Sequence, residues 1–126
     1  MKILQSLGAE VKWDSLPPKT TNDLFYKIGG ENICYSVIGA IRDSNKLAKE
    51  IIEFQPDFVF QLAEQPLVLL SYEKPLDTFE INVIGTVNLL EALKLLKQKC
   101  TTVLITTDKV YQNKEWHYPY RENDRL

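Results

Sequence analysis

Short apolar runs alternate along this chain with stretches in which apolar residues recur every three or four positions. Leu4 and Leu7 followed by Gly8 read as the last turns of a helix, because glycine takes the left-handed conformation that closes a helix without steric cost. Glu10 to Trp13 then forms a short strand candidate, and Ser15-Leu16-Pro17-Pro18-Lys19 a turn. Ser36 to Ile41 is the second strand candidate. Asp43 is placed to cap a helix whose Leu47, Ala48, Ile51, Ile52 and Phe54 keep helical spacing until Pro56. Phe58 to Leu62 reads as a buried strand and Thr102 to Thr106 as the last one. Between them, Pro75 to about Lys97 predicts a helix of roughly 23 residues, with Pro75 in its first turn and Asp77 and Glu80 near its positive end.

Strands alternating with helices at this spacing predict an α/β fold, a parallel sheet covered by helices on both faces. The strand candidates are apolar on both sides, as such burial requires. In the long helix, Phe79, Val83, Val87, Leu90 and Leu93 make one apolar stripe while Ile84, Leu89, Leu95 and Leu96 spread beyond it. One sheet face does not cover that width, so either a partner helix or a fuller internal core is implied.

Composition narrows the class. The 126 residues carry 15 Lys and Arg against 17 Asp and Glu, which suits one soluble domain. The charges are interspersed, so there is no basic face for gripping a phosphate backbone, and nucleic acid is not an expected partner. Apolar stretches such as Pro66 to Leu70 fall far short of the roughly 20 residues that span a bilayer, and Met1-Lys2 precedes no signal-type apolar segment, so no membrane partner and a cytoplasmic location are expected. Cys34 and Cys100 have neither CxxC spacing nor a neighbouring His and read as reduced, partly buried thiols rather than metal ligands.

In open parallel sheets, ligands collect outside the carboxyl ends of the strands. Asp14, Arg42-Asp43, Glu64-Gln65 and Thr107-Asp108-Lys109 follow the four strand candidates in turn. The last group joins a hydroxyl, a carboxylate and an ammonium, which can orient a substrate hydroxyl, carry a proton and stabilise charge, although the same run also suits a cap or turn. His117, in an aromatic and charged loop, reads as a surface histidine. No G-x-x-G-x-x-G or G-x-G-x-x-G run is present, and Gly29-Gly30 has neither a third glycine nor a following helix, so a phosphate-cradling turn is expected upstream of Met1.

Taken jointly, residues 56–68 (PDFVFQLAEQPLV), 82–92 (NVIGTVNLLEA) and 106–111 (TTDKVY) resemble the extended short-chain dehydrogenase/reductases. Asn113-Lys114-Glu115-Trp116, Tyr120-Arg121-Glu122-Asn123-Asp124 and the Leu7-Gly8-Ala9-Glu10-Val11 to Pro17-Pro18 segment are similar to the CDP-glucose 4,6-dehydratase branch. The resemblance implies an incomplete Rossmann-type, doubly wound parallel sheet over residues 1–126 that lacks its first, central strand, which would lie between the strands at 10–13 and 58–62. It implies a nucleotide-sugar substrate, CDP-glucose, and NAD as cofactor, held by Ile41, Leu62, Ala63, Gln65, Asn82 and Thr106. Thr107 would hydrogen-bond the C4 hydroxyl, Asp108 would protonate the departing C6 hydroxyl, and Lys109 stands where dTDP-glucose relatives carry the Glu that removes the C5 proton. In relatives the long helix builds a four-helix dimer interface, which implies a homodimer, or association with a full-length relative, through residues 75–97.

Departures from the family pattern fall on ligand-facing positions. Ala40 replaces an Asp that accepts from the adenine amino group, a loss of about 0.5–1.5 kcal/mol. Gln61 stands for His, Leu69 for Arg, Trp13 for a small residue beside the adenosine ribose, and Glu64 for a small Ala. A carboxylate at position 64 about 5 Å from a phosphate charge would oppose binding by at most roughly 3 kcal/mol at an effective dielectric of about 20. The family's Y-x-x-x-K is expected just beyond Leu126. The resemblance therefore implies a fragment that is inactive in isolation, or a non-catalytic remnant or dimerisation module of such an enzyme.

Overall fold

The computed structural model describes residues 2–107 and 109–126. Helix α1 (Lys2–Ser6) ends before Gly8, which takes the positive φ its position predicts. Strand β1 (Lys12–Ser15) leads through the proline turn to the short helix α2 (Leu24–Lys27), a 3-10 turn at Gly30–Asn32 and strand β2 (Tyr35–Ile38). Asp43 caps helix α3 (Ser44–Phe54) by accepting from the Lys46 amide at 3.0 Å, and Gln55 in the left-handed conformation closes the helix before Pro56. Strand β3 (Phe58–Gln61) follows.

Helix α4 (Val68–Glu73) takes up the apolar run after Pro66, which the pattern had left without a structure. Helix α5 (Pro75–Phe79), a π turn at Glu80–Ile84 and helix α6 (Gly85–Leu93) form one rod over residues 75–93. The rod stops four residues short of Lys97. The Leu95 and Leu96 amides bond back in tight turns, and Gln98 Nε2 donates to the Gln55 carbonyl at 2.7 Å, drawing the chain toward the end of α3. Strand β4 (Thr101–Leu104) completes the fold.

Strands β2, β3 and β4 are shorter than the apolar runs, β1 is as long as its run but shifted by two residues, and β2 and β4 start one residue early. Each is only as long as the ladder it shares, Lys12–Ser15 against Tyr35–Ile38 and Phe58–Gln61 against Thr101–Leu104. Both ladders are parallel, as expected, but they do not join into one sheet: β1 pairs with β2, and β3 with β4. The core lies between α3, α6 and the β3–β4 pair. Ile51, Leu89 and Ala92 are its buried members, with Leu47, Val59, Leu93, Leu96 and Leu104 packed around them. Of the apolar stripe Phe79, Val83, Val87, Leu90 and Leu93, only Leu93 packs against the core, while the other four stay exposed, with Leu76 continuing the same face. No described helix is long and apolar enough to cross a membrane.

Candidate functional site

The loops that leave β2 and β3 are both fastened to the rod at 75–93. Asn82, inside the π turn, accepts from the Gln65 amide at 2.8 Å and donates to the Gln65 carbonyl at 3.2 Å, a reciprocal pair that fixes the loop after β3. The Gln65 side chain continues the clasp, with Nε2 on Thr78 Oγ1 at 3.0 Å and Oε1 accepting from the Leu67 amide at 2.7 Å. A π turn interrupts the regular ladder and recurs at functional positions. Here it presents Asn82 to the loop while Thr86 Oγ1 satisfies the Asn82 carbonyl at 2.8 Å.

The loop after β2 is held by the same rod. Asn88 Nδ2 donates to the Ile41 and Arg42 carbonyls at 3.2 and 3.3 Å, and Arg42 Nη1 reaches Glu80 at 2.8 Å and Asp77 at 3.4 Å. Gly85 is required by this closeness, since a Cβ there would come within 2.5 Å of Ile41 Cγ2. The sequence reading missed Asn88, Thr78 and Gly85. An Asn in mid-helix, where its propensity is poor, was the available signal for Asn88.

Of the predicted cofactor positions, Ile41, Gln65 and Asn82 are thus brought together through the rod, and all three are half-buried. The polar groups of Gln65 and Asn82 are engaged largely with each other and the loop, which makes them positioning groups. Leu62 and Ala63 lie exposed on the segment leaving β3, beside the buried Gln61, whose Nε2 donates to the Ala63 carbonyl at 2.7 Å. Glu64 is exposed to solvent. Thr106, Thr107 and Lys109 are exposed on the segment leaving β4, where Thr107 Oγ1 accepts from the Lys109 amide at 3.1 Å. Asp108 lies outside the described residues. His117 is exposed, and Cys34 and Cys100 are half-buried.

At the ends of β1 and β2 the chain fills its own space. The Asp14 carboxylate lies against Gly39 so closely that a Cβ at that position would collide with it. Burial pushes the Asp14 carboxyl above its ordinary range, Glu50 adds to the rise, and Lys46 and Lys12 oppose it. Glu50 itself is held below the usual range by its bond from Lys12. Trp13 Nε1 donates to Ser15 Oγ at 2.7 Å, and its indole lines a shallow groove with Pro17, Pro18, Phe25, Ser36 and Ile38.

Beyond β4, Tyr111 and Tyr120 stack with ring centres 5.3 Å apart, and Trp116 packs on Tyr120 at 5.5 Å. Among the described residues no cluster of three or more His, Cys, Asp and Glu is arranged to hold a metal ion.

Comparison with known proteins places this arrangement. The chain is 46% identical over 123 residues to the CDP-glucose 4,6-dehydratase of Salmonella typhimurium, covering 98% of this chain and 34% of that protein. It is 34% identical over 114 residues to the CDP-paratose 2-epimerase of Salmonella typhi, covering 90% of this chain and 33% of that one. It spans about a third of the length of these curated relatives. A solved UDP-glucose-4-epimerase from Stenotrophomonas maltophila, with bound NAD and formylated UDP-arabinopyranose, matches with a TM-score of 0.79 and 26% identity over 97% of this chain and 36% of that one. The fold is therefore a partial Rossmann-type α/β arrangement. The family model described as GDP-mannose 4,6 dehydratase matches residues 22–126, and the chain belongs to that family of sugar-nucleotide dehydratases and epimerases.

Proposed function

We propose that the chain forms the part of a CDP-glucose 4,6-dehydratase that holds the sugar hydroxyls and one side of the cofactor. The observation that carries this reading is the 46% identity to the Salmonella enzyme along nearly the whole chain; in sequence, Thr107-Asp108-Lys109 follows two residues after the end of β4. NAD, when bound, supplies a hydride acceptor at the sugar C4. The open, solvent-facing segments at Leu62, Ala63 and Thr106, with the Ile41 loop and the Asn82–Gln65 clasp behind them, suit a bound dinucleotide.

Thr107 Oγ1 would accept from or donate to the C4 hydroxyl and so orient the ring. Asp108 would hold the proton that the departing C6 hydroxyl needs, and Lys109 would take the C5 proton. The 126 residues contain neither a glycine-rich phosphate turn nor a Y-x-x-x-K segment, so turnover requires residues that they do not supply. The exposed stripe of Leu76, Phe79, Val83 and Val87 would dock on the same face of a second copy or of a longer relative.

A chimera tests this reading. These residues replace the matching third of the Salmonella enzyme, and CDP-glucose turnover to a 4-keto-6-deoxy product is measured. Turnover that falls about a hundredfold or more with Thr107→Val and Asp108→Asn supports the assignment. A folded chimera that binds NAD and leaves CDP-glucose unchanged overturns it. Phe79→Glu should convert a dimer to a monomer in light scattering, and a wild-type chain monomeric at high concentration refutes the docking of copies.

A further inference from the structure

The segment that leaves β4 is held at both ends. At its start the Ile105 amide donates to the Gln61 carbonyl at 3.1 Å, continuing the β3–β4 pairing. At its far end the Tyr111 ring stacks on Tyr120, with centres 5.3 Å and planes 5° apart, and the Gln112 amide donates to the Arg125 carbonyl at 2.9 Å. Residues 106–110, which include Thr107 and Lys109, therefore run between two anchors. Within that span Thr107 Oγ1 accepts from the Lys109 amide at 3.1 Å, a bond between near neighbours that does not by itself fix where the pair stands relative to β4.

The far anchor is made by a loop that closes on itself. The bond from Gln112 to Arg125 brings the two ends of residues 112–125 together, the form of a loop packed by its own side chains. Tyr120 is at its centre. Its ring carries Tyr111 and meets Trp116, 5.5 Å away, while its hydroxyl accepts from the Lys114 amide at 2.9 Å and donates to Asn113 Oδ1 at 3.3 Å. Asn113 Oδ1 also accepts from the Glu115 amide at 2.9 Å, at a turn where Glu115 has a φ of 50°, which a residue with a Cβ seldom takes. Tyr120 is half-buried, whereas Trp116 and Tyr118 on the same loop are exposed.

We propose that Tyr120 is a positioning residue for the segment assigned above to the sugar: by stacking on Tyr111 it fixes the far end of residues 106–110 and so sets where Thr107 and Lys109 stand. This rests on the reading of those two residues given under Proposed function. An aromatic pair shifts an ordering equilibrium by about two- to tenfold. Misplacing a reacting group by about 1 Å costs about a hundredfold in rate. A modest loosening at Tyr111 is therefore amplified in the chemical step, while ligand affinity is largely kept.

Two measurements on the same variants test this. In the isotopically labelled chain, the Lys109 amide should have an order parameter of about 0.8 that falls below about 0.6 in Tyr120→Leu and stays between the two in Tyr120→Phe, with Ile105 unmoved. In the chimera with the Salmonella enzyme, Tyr120→Leu should lower kcat about tenfold or more and change KM for CDP-glucose by less than about threefold, and Tyr120→Phe, which keeps the ring, should retain at least about a third of kcat. Tyr118→Leu, on the same loop and 77% accessible, should change neither reading. An unchanged order parameter at Lys109 in Tyr120→Leu overturns the proposal, and so does a loss of order that extends to Ile105, which would make Tyr120 a general prop of the fold. Turnover lost with Thr107→Val but kept with Tyr120→Leu overturns the proposal alone. Turnover that survives both overturns the functional reading beneath it and the proposal together.

Discussion

Lys12 ties strand β1 to helix α3, so replacing Lys12 by Met probes that joint directly. The ammonium pairs with Glu50, also reaches the Glu50 carbonyl at 3.4 Å, and lies 5.4 Å from the centre of the Phe54 ring. The Lys12 and Glu50 side chains are only 17% and 19% accessible, so this is not a freely solvated surface pair. A charge-assisted hydrogen bond contributes about 1.5–3 kcal/mol and a cation–ring contact about 0.5–1. The side-chain entropy of an ordered Lys offsets as much as about 2. Methionine keeps the stem, so the expected net loss is about 1.5 kcal/mol near neutral pH, roughly tenfold in the unfolding constant.

The pH dependence makes that estimate specific. Glu50 is held below its ordinary range in the folded chain, so its contribution is complete above its unfolded pKa and disappears as pH falls through its folded value. Urea unfolding followed by tryptophan fluorescence, with Trp13 adjacent to the mutated site, should show the full cost at about pH 7 and a cost that shrinks toward the ring contact alone, about 0.5 kcal/mol, as pH falls through the folded value of Glu50. A cost below about 0.3 kcal/mol at neutral pH, or one that does not shrink on acidification, refutes the pairing as a tether of β1 to α3.

Three further outcomes follow from the same geometry. Leu89→Ala empties much of a core whose buried members are few and should cost about 2–4 kcal/mol in the same denaturation assay, against less than about 1 for the exposed Val87→Ala. Asn82→Ala leaves the half-buried Gln65 amide without its acceptor. It should cost about 1–3 kcal/mol and speed exchange at that amide, while the backbone of β4 is unaffected. Asp14→Asn removes a carboxylate whose folded pKa is raised. The charged form destabilises the fold above that pKa and the effect fades as pH falls through it, so the variant should gain about half a kcal/mol near neutral pH and nothing in acid; a loss near neutral pH would show that Asp14 is held by a favourable charge pairing.

The order of elements was legible because each leaves a local mark. Asp43 before a helical period, Gly8 after one and Pro75 at a first turn act within a few residues, and the structure uses all three as expected. Strand limits were not legible, since Gly39 to Ile41 continue an apolar run that the ladder to β1 abandons at Ile38. The pattern put more apolar width on the long helix than one sheet face covers, and the structure leaves part of it open. Leu89 and Ala92 are buried while the longer Phe79–Val83–Val87–Leu90 stripe remains open, and a hydrophobic period cannot tell a core from an uncovered surface.

The site followed the same division. Positions at strand exits could be found by counting, but the fastening of Gln65 by Asn82 and of Ile41 by Asn88 links residues 17 and 47 positions apart. Those two asparagines lie on one rod and hold loops from the two separate sheets, so the rod, rather than a continuous ladder, sets the relative position of the β2 and β3 exits. A consequence is that the placement of the two exits does not depend on a ladder running between the sheets. Loss of either asparagine clasp would loosen one loop while leaving the other in register.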